Sequence, residues 1–346
     1  MEDNLLLAID LAKNSFQVCY MRHNGEVLLN KAISRNSLIK LLTGKKRFSL
    51  VAMEACGGAH YWARLAKRNG HEVKIIQPRA VKGLQLKQKT DKNDAYAVGV
   101  AALLPHIFSC NLMSEDEQGL QCLDRARALQ LAQRTALSNQ MRGFLNEYGI
   151  VLPKGIAPLV KRIPEILEDA ENGLPDSLRQ VLASQADILA MQTDQIEYYD
   201  CLITEHIKQN KICQKLSKLE GVGPIIALGL MIRLGDGKEF THSRDASACI
   251  GLTPKQHSTG GKERIGHISK SCADKRLRSL LYQGAMSIVY KVTLRAPTTE
   301  KERWLKSIVE RRGKKIAAIA MANKTVRTAV ALIKSDSDYQ PLPIQA

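Results

Sequence analysis

The 346-residue chain contains no run of about 18 apolar residues, so the sequence offers no segment to span a bilayer. It also lacks a signal-peptide pattern, because Met1-Glu2-Asp3-Asn4 is acidic where a cationic start is needed. A cytoplasmic protein with no membrane partner is expected. No C-x-x-C pair occurs among the eight cysteines, at 19, 56, 110, 122, 201, 213, 249 and 272. They read as ordinary buried thiols of a reducing compartment, which excludes a disulfide framework and disfavours a zinc site. His60, His71, His106 and His267 have no metal-ligand spacing and are expected to be structural. Internal repeats and low-complexity tracts are absent too.

Positive charge is in excess. Lys and Arg number 51 against 34 Asp and Glu, a net charge of +17. From Lys255 to the end there are 19 Lys and Arg against 7 Asp and Glu. A basic C-terminal third implies a polyanionic partner, since exposed cations steer and hold phosphate. With 45% hydrophobic and 25% charged residues, the chain is globular and long enough for two or three domains.

The expected architecture is α/β plus all-α, in three parts. Residues 1–105 alternate strand and helix. Leu5-Leu6-Leu7-Ala8-Ile9 reads as a buried strand. A hairpin follows, turning at His23-Asn24-Gly25, because Asn-Gly between apolar runs favours a tight turn. Helices near 37–42 and 60–67 and strands at 49–53 and 72–76 complete an order characteristic of the RNase H fold. Residues 106–215 form a long-helix region. Ser114 with Glu117 makes a capping box whose helix runs to Tyr148 and stops at Gly149. Pro153, Pro164, Gly173 and Pro175 break the chain, and a second long helix covers 177–208. Such helices form an antiparallel arm or pack against another subunit, and the second is weighted slightly higher. Residues 216–346 form a compact helical domain, with a Gly-rich polar loop at 256–270 and helices at 274–290, 302–311 and 316–333.

Four carboxylates carry the first chemical signal. Asp10 and Glu54 end apolar strands, while Asp91 and Asp94, three apart, open a helix. Clustered carboxylates repel unless a hard cation such as Mg²⁺ neutralises them. Taken singly, Asp10 reads as a turn cap, Glu54 as a surface residue and Asp94 as an N-cap. Together in one α/β domain they read as a metal site.

The C-terminal third carries three further signals. Around Gly221-Val222-Gly223-Pro224 the chain has the form of a helix-hairpin-helix turn, whose backbone N–H groups point at a phosphate. The alternative is a packing turn with a glycine cap. Ser258-Thr259-Gly260-Gly261 places a hydroxyl beside flexible glycines, with His257, Lys262 and Arg264 near in sequence. That suits attack on a phosphodiester, the cations offsetting the developing charge, although an exposed loop has the same composition. Lys275, Arg276 and Arg278, with Arg311, Arg312, Lys314 and Lys315, read as phosphate contacts or as solvated faces.

At these motifs the chain resembles the transposases of the insertion-sequence "one-ten" group and its "eleven-eleven" subgroup, to which Piv-type DNA invertases are related. Ala8-Ile9-Asp10-Leu11-Ala12-Lys13, Met53-Glu54-Ala55-Cys56-Gly57-Gly58 and Lys89-Thr90-Asp91-Lys92-Asn93-Asp94-Ala95 are similar to that family's DEDD domain, a RuvC-like RNase H fold. Gly221-Val222-Gly223-Pro224, Gly251-Leu252-Thr253-Pro254 and Ser258-Thr259-Gly260-Gly261-Lys262 are similar to its C-terminal transposase domain. The resemblance spans nearly the whole chain. It implies a recombinase in which Asp10, Glu54, Asp91 and Asp94 hold Mg²⁺ or Mn²⁺ and Ser258 forms a phosphoserine link, with Thr259 as the competing hydroxyl. It further implies double-stranded target and donor DNA, a structured bridge RNA as guide, and a homodimer or homotetramer sharing active sites. Two alternatives compete with a mobile-element transposase: a Piv-like invertase without guide RNA, and a RuvC-like Holliday-junction nuclease that leaves Ser258 idle. A non-catalytic nucleic-acid-binding protein is disfavoured by the four intact acids.

Overall fold

The computed structural model describes residues 5–85, 88–268, 274–335 and 337–344. Cys272 and the end of the expected 256–270 loop, with Lys270, lie outside the described residues, as does the Met1-Glu2-Asp3-Asn4 start. The chain divides into two compact units, Met1–Asp116 with Leu234–His242, and Glu117–Arg233 with Ser243–Ala346.

The first unit is built on a five-stranded mixed sheet, from β1 (Leu5–Asp10), β2 (Ser15–Arg22), β3 (Val27–Ser34), β4 (Leu50–Glu54) and β5 (Val73–Ile76). The spatial order is β3-β2-β1-β4-β5. β1, β2 and β3 pair antiparallel, whereas β4 lies parallel to both β1 and β5. Gly25, at φ +91°, makes the β2–β3 turn where Asn-Gly predicted one. β1 is apolar from Leu5 to Ile9 because both its faces are covered. On one face Leu7, Ile9, Val51 and Met53 meet Leu38 and Leu42 of α1 (Arg35–Thr43) and Trp62 of α2 (Ala59–Arg68). On the other, Leu6, Ala8 and Met21 meet Val81 of α3 (Pro78–Lys82) and the small residues of α4 (Asp91–Leu103). His71 is buried as a structural residue: its ring accepts from the Phe48 amide and bonds the Leu42 carbonyl. Residues 234–242 rejoin this unit, where a Glu239 carboxylate accepts from the Asn111 amide at 3.0 Å.

In the second unit α5 (Glu115–Glu147) and α7 (Asp176–Gln209) are the two long helices the sequence predicts. They pair with each other, antiparallel, within the chain. Arg127 binds Asp200, Arg134 reaches Thr193, and Gln185 reaches Gln140, so rising numbers on one helix meet falling numbers on the other. The expected break between them instead contains α6 (Ile156–Glu168), which runs through Pro164. A proline inside a helix costs about 3 kcal/mol. Burial of Leu159, Ile163 and Ile166 against Met141, Leu145, Leu182 and Leu189 offsets that, at roughly 1.5–3 kcal/mol per side chain.

The rest of the unit comprises α8 (Lys211–Ser217), α9 (Pro224–Leu234), α10 (Ser243–Ile250), α11 (Lys275–Leu294), α12 (Glu300–Arg312) and α13 (Lys314–Ser335). α13 is long and apolar enough by composition to cross a bilayer, although Lys324 and Arg327 interrupt its apolar run. Half of that stretch is buried, and it packs on α10, α11 and α12 as a core helix. The cysteines also differ from expectation, since Cys19 and Cys213 are buried but Cys56, Cys122 and Cys201 are exposed.

Candidate active site

Two parallel strands and one helix start gather the acids. Ile9 lies opposite Met53 in the β1–β4 ladder, so the next residues, Asp10 and Glu54, which end their strands, stand at the same edge of the sheet. Thr90, not Asp94, is the N-cap of α4, its hydroxyl accepting from the Asn93 amide, which sets Asp91 and Asp94 in the first turn. Gly99 lets α4 lie close on the sheet, because a Cβ there would sit 2.2 Å from Met21 Sδ and 3.3 Å from Ala8 Cβ. The four charges feel one another. Burial first, then the charges of Asp94, Asp91 and Glu54, push the Asp10 carboxyl up to about 6, against the opposing pull of Lys89. Burial and Asp94 likewise raise Glu54. Gln85 donates to Asp94 at 2.8 Å and fixes its rotamer.

Among the described residues no group of three His, Cys, Asp or Glu is arranged to hold a metal ion. The donor chemistry fits a hard divalent cation nonetheless. All four groups offer oxygen, and their mutual repulsion is the cost such a cation removes. Beside this edge lies a cavity of about 440 Å³, lined by Lys13, Arg35, Cys56 and Gly58 among others. Arg35 stacks over Trp62 at 4.9 Å and Tyr61 at 5.6 Å, a cation placed by tertiary packing that the sequence reading missed.

Ser258 lies in the second unit on a hairpin, not the expected loop. β6 (Pro254–Thr259) pairs antiparallel with β7 (Lys262–Ile268), and both strands are exposed. Gly260 and Gly261, at φ +56° and +76°, form the two-residue connection that only residues tolerant of positive φ make cheaply. The register sorts the side chains. Ser258 faces Glu263, whereas Thr259 faces Lys262 and His257 faces Arg264. Since side chains alternate across a strand, Lys262 and Arg264 share a face with Thr259, opposite that of Ser258. The cations expected to stand beside Ser258 are therefore on the other side of the ribbon.

The glycine turn is split in role. Gly221, at φ +77°, packs backbone to backbone on Gly284 of α11, so that a Cβ would lie 2.6 Å from the Gly284 carbonyl oxygen. Gly221 thus serves packing. Gly223 has open space around its Cβ position, at the start of α9. Gly221→Ala should cost about 3 kcal/mol, combining left-handed strain with overpacking, while Gly223→Ala should be near neutral. Thermal unfolding checks this, and equal melting temperatures for both variants would contradict it.

The basic residues are similarly divided. Arg276 forms a two-pronged ion pair with the buried Asp124 of α5, its Nη2 donating to Oδ1 at 2.7 Å. That is a use within the fold, distinct from the phosphate contact expected of it. Lys275, Lys262, Arg264, Arg311, Arg312 and Lys315 are exposed, and Arg278 is half-buried. Lys314 is exposed too, its ammonium 4.8 Å from the Tyr290 ring centre.

Residues 7–150, which carry all four acids, match the DEDD transposase family of the IS110 group. Residues 213–299, which carry the glycine turn and the Ser258 hairpin, match the family described as "Transposase IS116/IS110/IS902 family". The transposase for insertion sequence element IS1328 of Yersinia enterocolitica is 36% identical, over 95% of this chain and 96% of its own. The transposase for IS1111A of Coxiella burnetii is 34% identical, over 98% of this chain and 92% of its own. More distantly, the pilin gene-inverting protein of Moraxella lacunata is 22% identical over 96% of this chain and 97% of its own. The chain belongs to the IS110 family of insertion-sequence transposases, enzymes that cut and rejoin DNA.

Proposed function

We propose that this transposase cuts DNA by attack of Ser258 and that the Asp10, Glu54, Asp91 and Asp94 edge is its metal-binding half-site. The observation that carries the reading is the gathering of Asp10 and Glu54, at the ends of adjacent parallel strands, with Asp91 and Asp94 in the first turn of α4, close enough that their charges push the Asp10 carboxyl up. A fold that holds four repelling carboxylates together accepts a standing cost, which function explains better than stability does. The strand order β3-β2-β1-β4-β5, with acids at the ends of adjacent parallel strands, supports a RuvC-like RNase H assignment for residues 1–105.

In the reaction, the Ser258 Oγ–phosphorus bond forms as the bond to the leaving sugar oxygen breaks, and the hydroxyl proton ends on that oxygen. The number of phosphoester bonds is conserved, so a second strand's hydroxyl reverses the step without an energy source. Mg²⁺ or Mn²⁺, when held by the acid edge, supplies charge neutralisation at the phosphate. Ser258 stands on an exposed hairpin, open to a bulky nucleic-acid substrate. Strand cleavage of element-end DNA, compared between wild type and Asp10→Asn, tests the reading.

The exposed cations Arg311, Arg312, Lys314 and Lys315 hold phosphates in this account, with a structured bridge RNA as the guide that pairs with target and donor. Replacing Lys314 and Lys315 together should weaken binding uniformly across sequences and lower the salt slope by about one for each phosphate no longer neutralised. An unchanged slope returns them to the solvated surface. Assembly as a dimer or tetramer fits the α5–α7 arm, which leaves Leu129, Ile188, Met191 and Tyr198 exposed on its outside. A nucleic-acid complex that sediments with one protein chain would remove that part. The Moraxella relative keeps a guide-free invertase as the second reading.

A further inference from the structure

The second unit holds a groove of about 1140 Å³ between α13, Trp304 of α12 and the base of the β6–β7 hairpin. It exceeds the roughly 300–1,000 Å³ of most small-molecule sites. Its floor is apolar, with Ile316 and Ile319 of α13, and Ile316 is 54% exposed. Its charged lining is cationic, from Lys315, Lys324 and Arg327, and among the described residues no carboxylate lines it. The Lys324 ammonium sits 4.4 Å from the Trp304 ring centre. Burial first, then the neighbouring Lys301 and Arg327 charges, press the Lys324 ammonium below its ordinary value, against the opposing pull of Glu220.

Duplex DNA offers cations its phosphates but keeps its base faces stacked, so it has no use for an apolar floor and an aromatic wall. An unpaired strand has both things to give: base faces for Trp304 and the isoleucines, and phosphates for Lys315, Lys324 and Arg327. Pro254 lines the groove and Ser258 is four strand residues further along β6, about 13 Å away. A strand seated in the groove thus continues toward the hydroxyl on the same ribbon.

We propose that this groove binds a short unpaired segment of the DNA strand that Ser258 attacks, with Trp304 as the stacking platform and Arg327 and Lys324 as phosphate contacts. The proposal rests on the Ser258 reading above.

The test uses the full chain and a labelled oligothymidylate of roughly a dozen nucleotides, the length scale of single-strand sites. A duplex and an oligouridylate of the same length serve as the other arms. The chain has two tryptophans, and Trp62 is buried at 2% exposure, so quenching of tryptophan fluorescence by the oligothymidylate reports on Trp304. Trp304→Leu, which keeps apolar volume, should weaken single-strand binding about tenfold, the scale of one missing base stack, and leave duplex binding within about twofold. Arg327→Met, at an exposed position, should lower the single-strand salt slope by about one. Absent quenching with unaltered single-strand binding in both variants overturns the proposal. Trp304-dependent binding of the oligouridylate alone overturns the assignment to DNA. If Ser258-dependent DNA adducts still form in either case, only this inference fails; if wild type forms none, the Ser258 reading fails with it.

Discussion

Asp10→Asn will abolish strand cleavage and leave DNA binding intact or tighter. Asparagine keeps the size and one oxygen but removes the charge that a hard cation requires, and it also removes a negative group facing phosphate. The same change has a second, opposite effect on the metal-free fold. Burial and the charges of Asp94, Asp91 and Glu54 push the Asp10 carboxyl up to about 6 in the folded chain, from the ordinary 3.8 of an exposed aspartate. Between those values the folded state binds more protons, so stability falls as pH rises from about 4 to about 6 and stays reduced above. The shift corresponds to roughly 1–2 kcal/mol once solvent screening is allowed for. Asp10→Asn should therefore raise the melting temperature of the metal-free protein by a few degrees at pH 8, with the gain vanishing near pH 4. Added Mg²⁺ should stabilise wild type and stabilise the variant much less. A variant that cleaves normally while still requiring Mg²⁺ would remove Asp10 from the metal site.

Ser258→Ala is expected to retain nucleic-acid binding and to give no protein–DNA adduct on a denaturing gel. Removing a nucleophile, unlike removing a binding group, leaves no route to the covalent intermediate, so the expected effect is complete and not graded. Thr259→Ala is the necessary companion, since Thr259 shares its face of the hairpin with Lys262 and Arg264 while Ser258 faces Glu263. If the adduct survives Ser258→Ala and disappears in Thr259→Ala, the covalent mechanism stands and the cations mark the true hydroxyl. If neither change affects recombination, a nuclease using the acid edge and water replaces it.

How far the sequence revealed these features depended on the range of the interactions involved. The apolar run 5–9 and the run before Glu54 were legible because a strand covered on both faces has to be apolar throughout. Asp91 and Asp94 were legible as a helix start, but that Thr90 caps it is a matter of hydroxyl geometry. α6 was hidden by Pro164, whose local cost is offset only by packing against α5 and α7. The β6–β7 hairpin was hidden because its strands are polar, so no apolar alternation flagged them, although Gly260-Gly261 is a known hairpin turn. Arg276 read as a phosphate contact because its partner, Asp124, is distant in sequence. The Trp304 groove exists only in the tertiary structure, where α12, α13 and the hairpin meet.

The central claim is that the acid edge and Ser258 perform one reaction. Protease digestion of the trapped adduct, with mass spectrometry of the DNA-linked peptide, tests it most directly. The account predicts a nucleotide mass on Ser258, formed only with a divalent ion present and missing in Asp10→Asn. DNA cut in the presence of Mg²⁺ with no nucleotide on any peptide from the β6–β7 hairpin would contradict it.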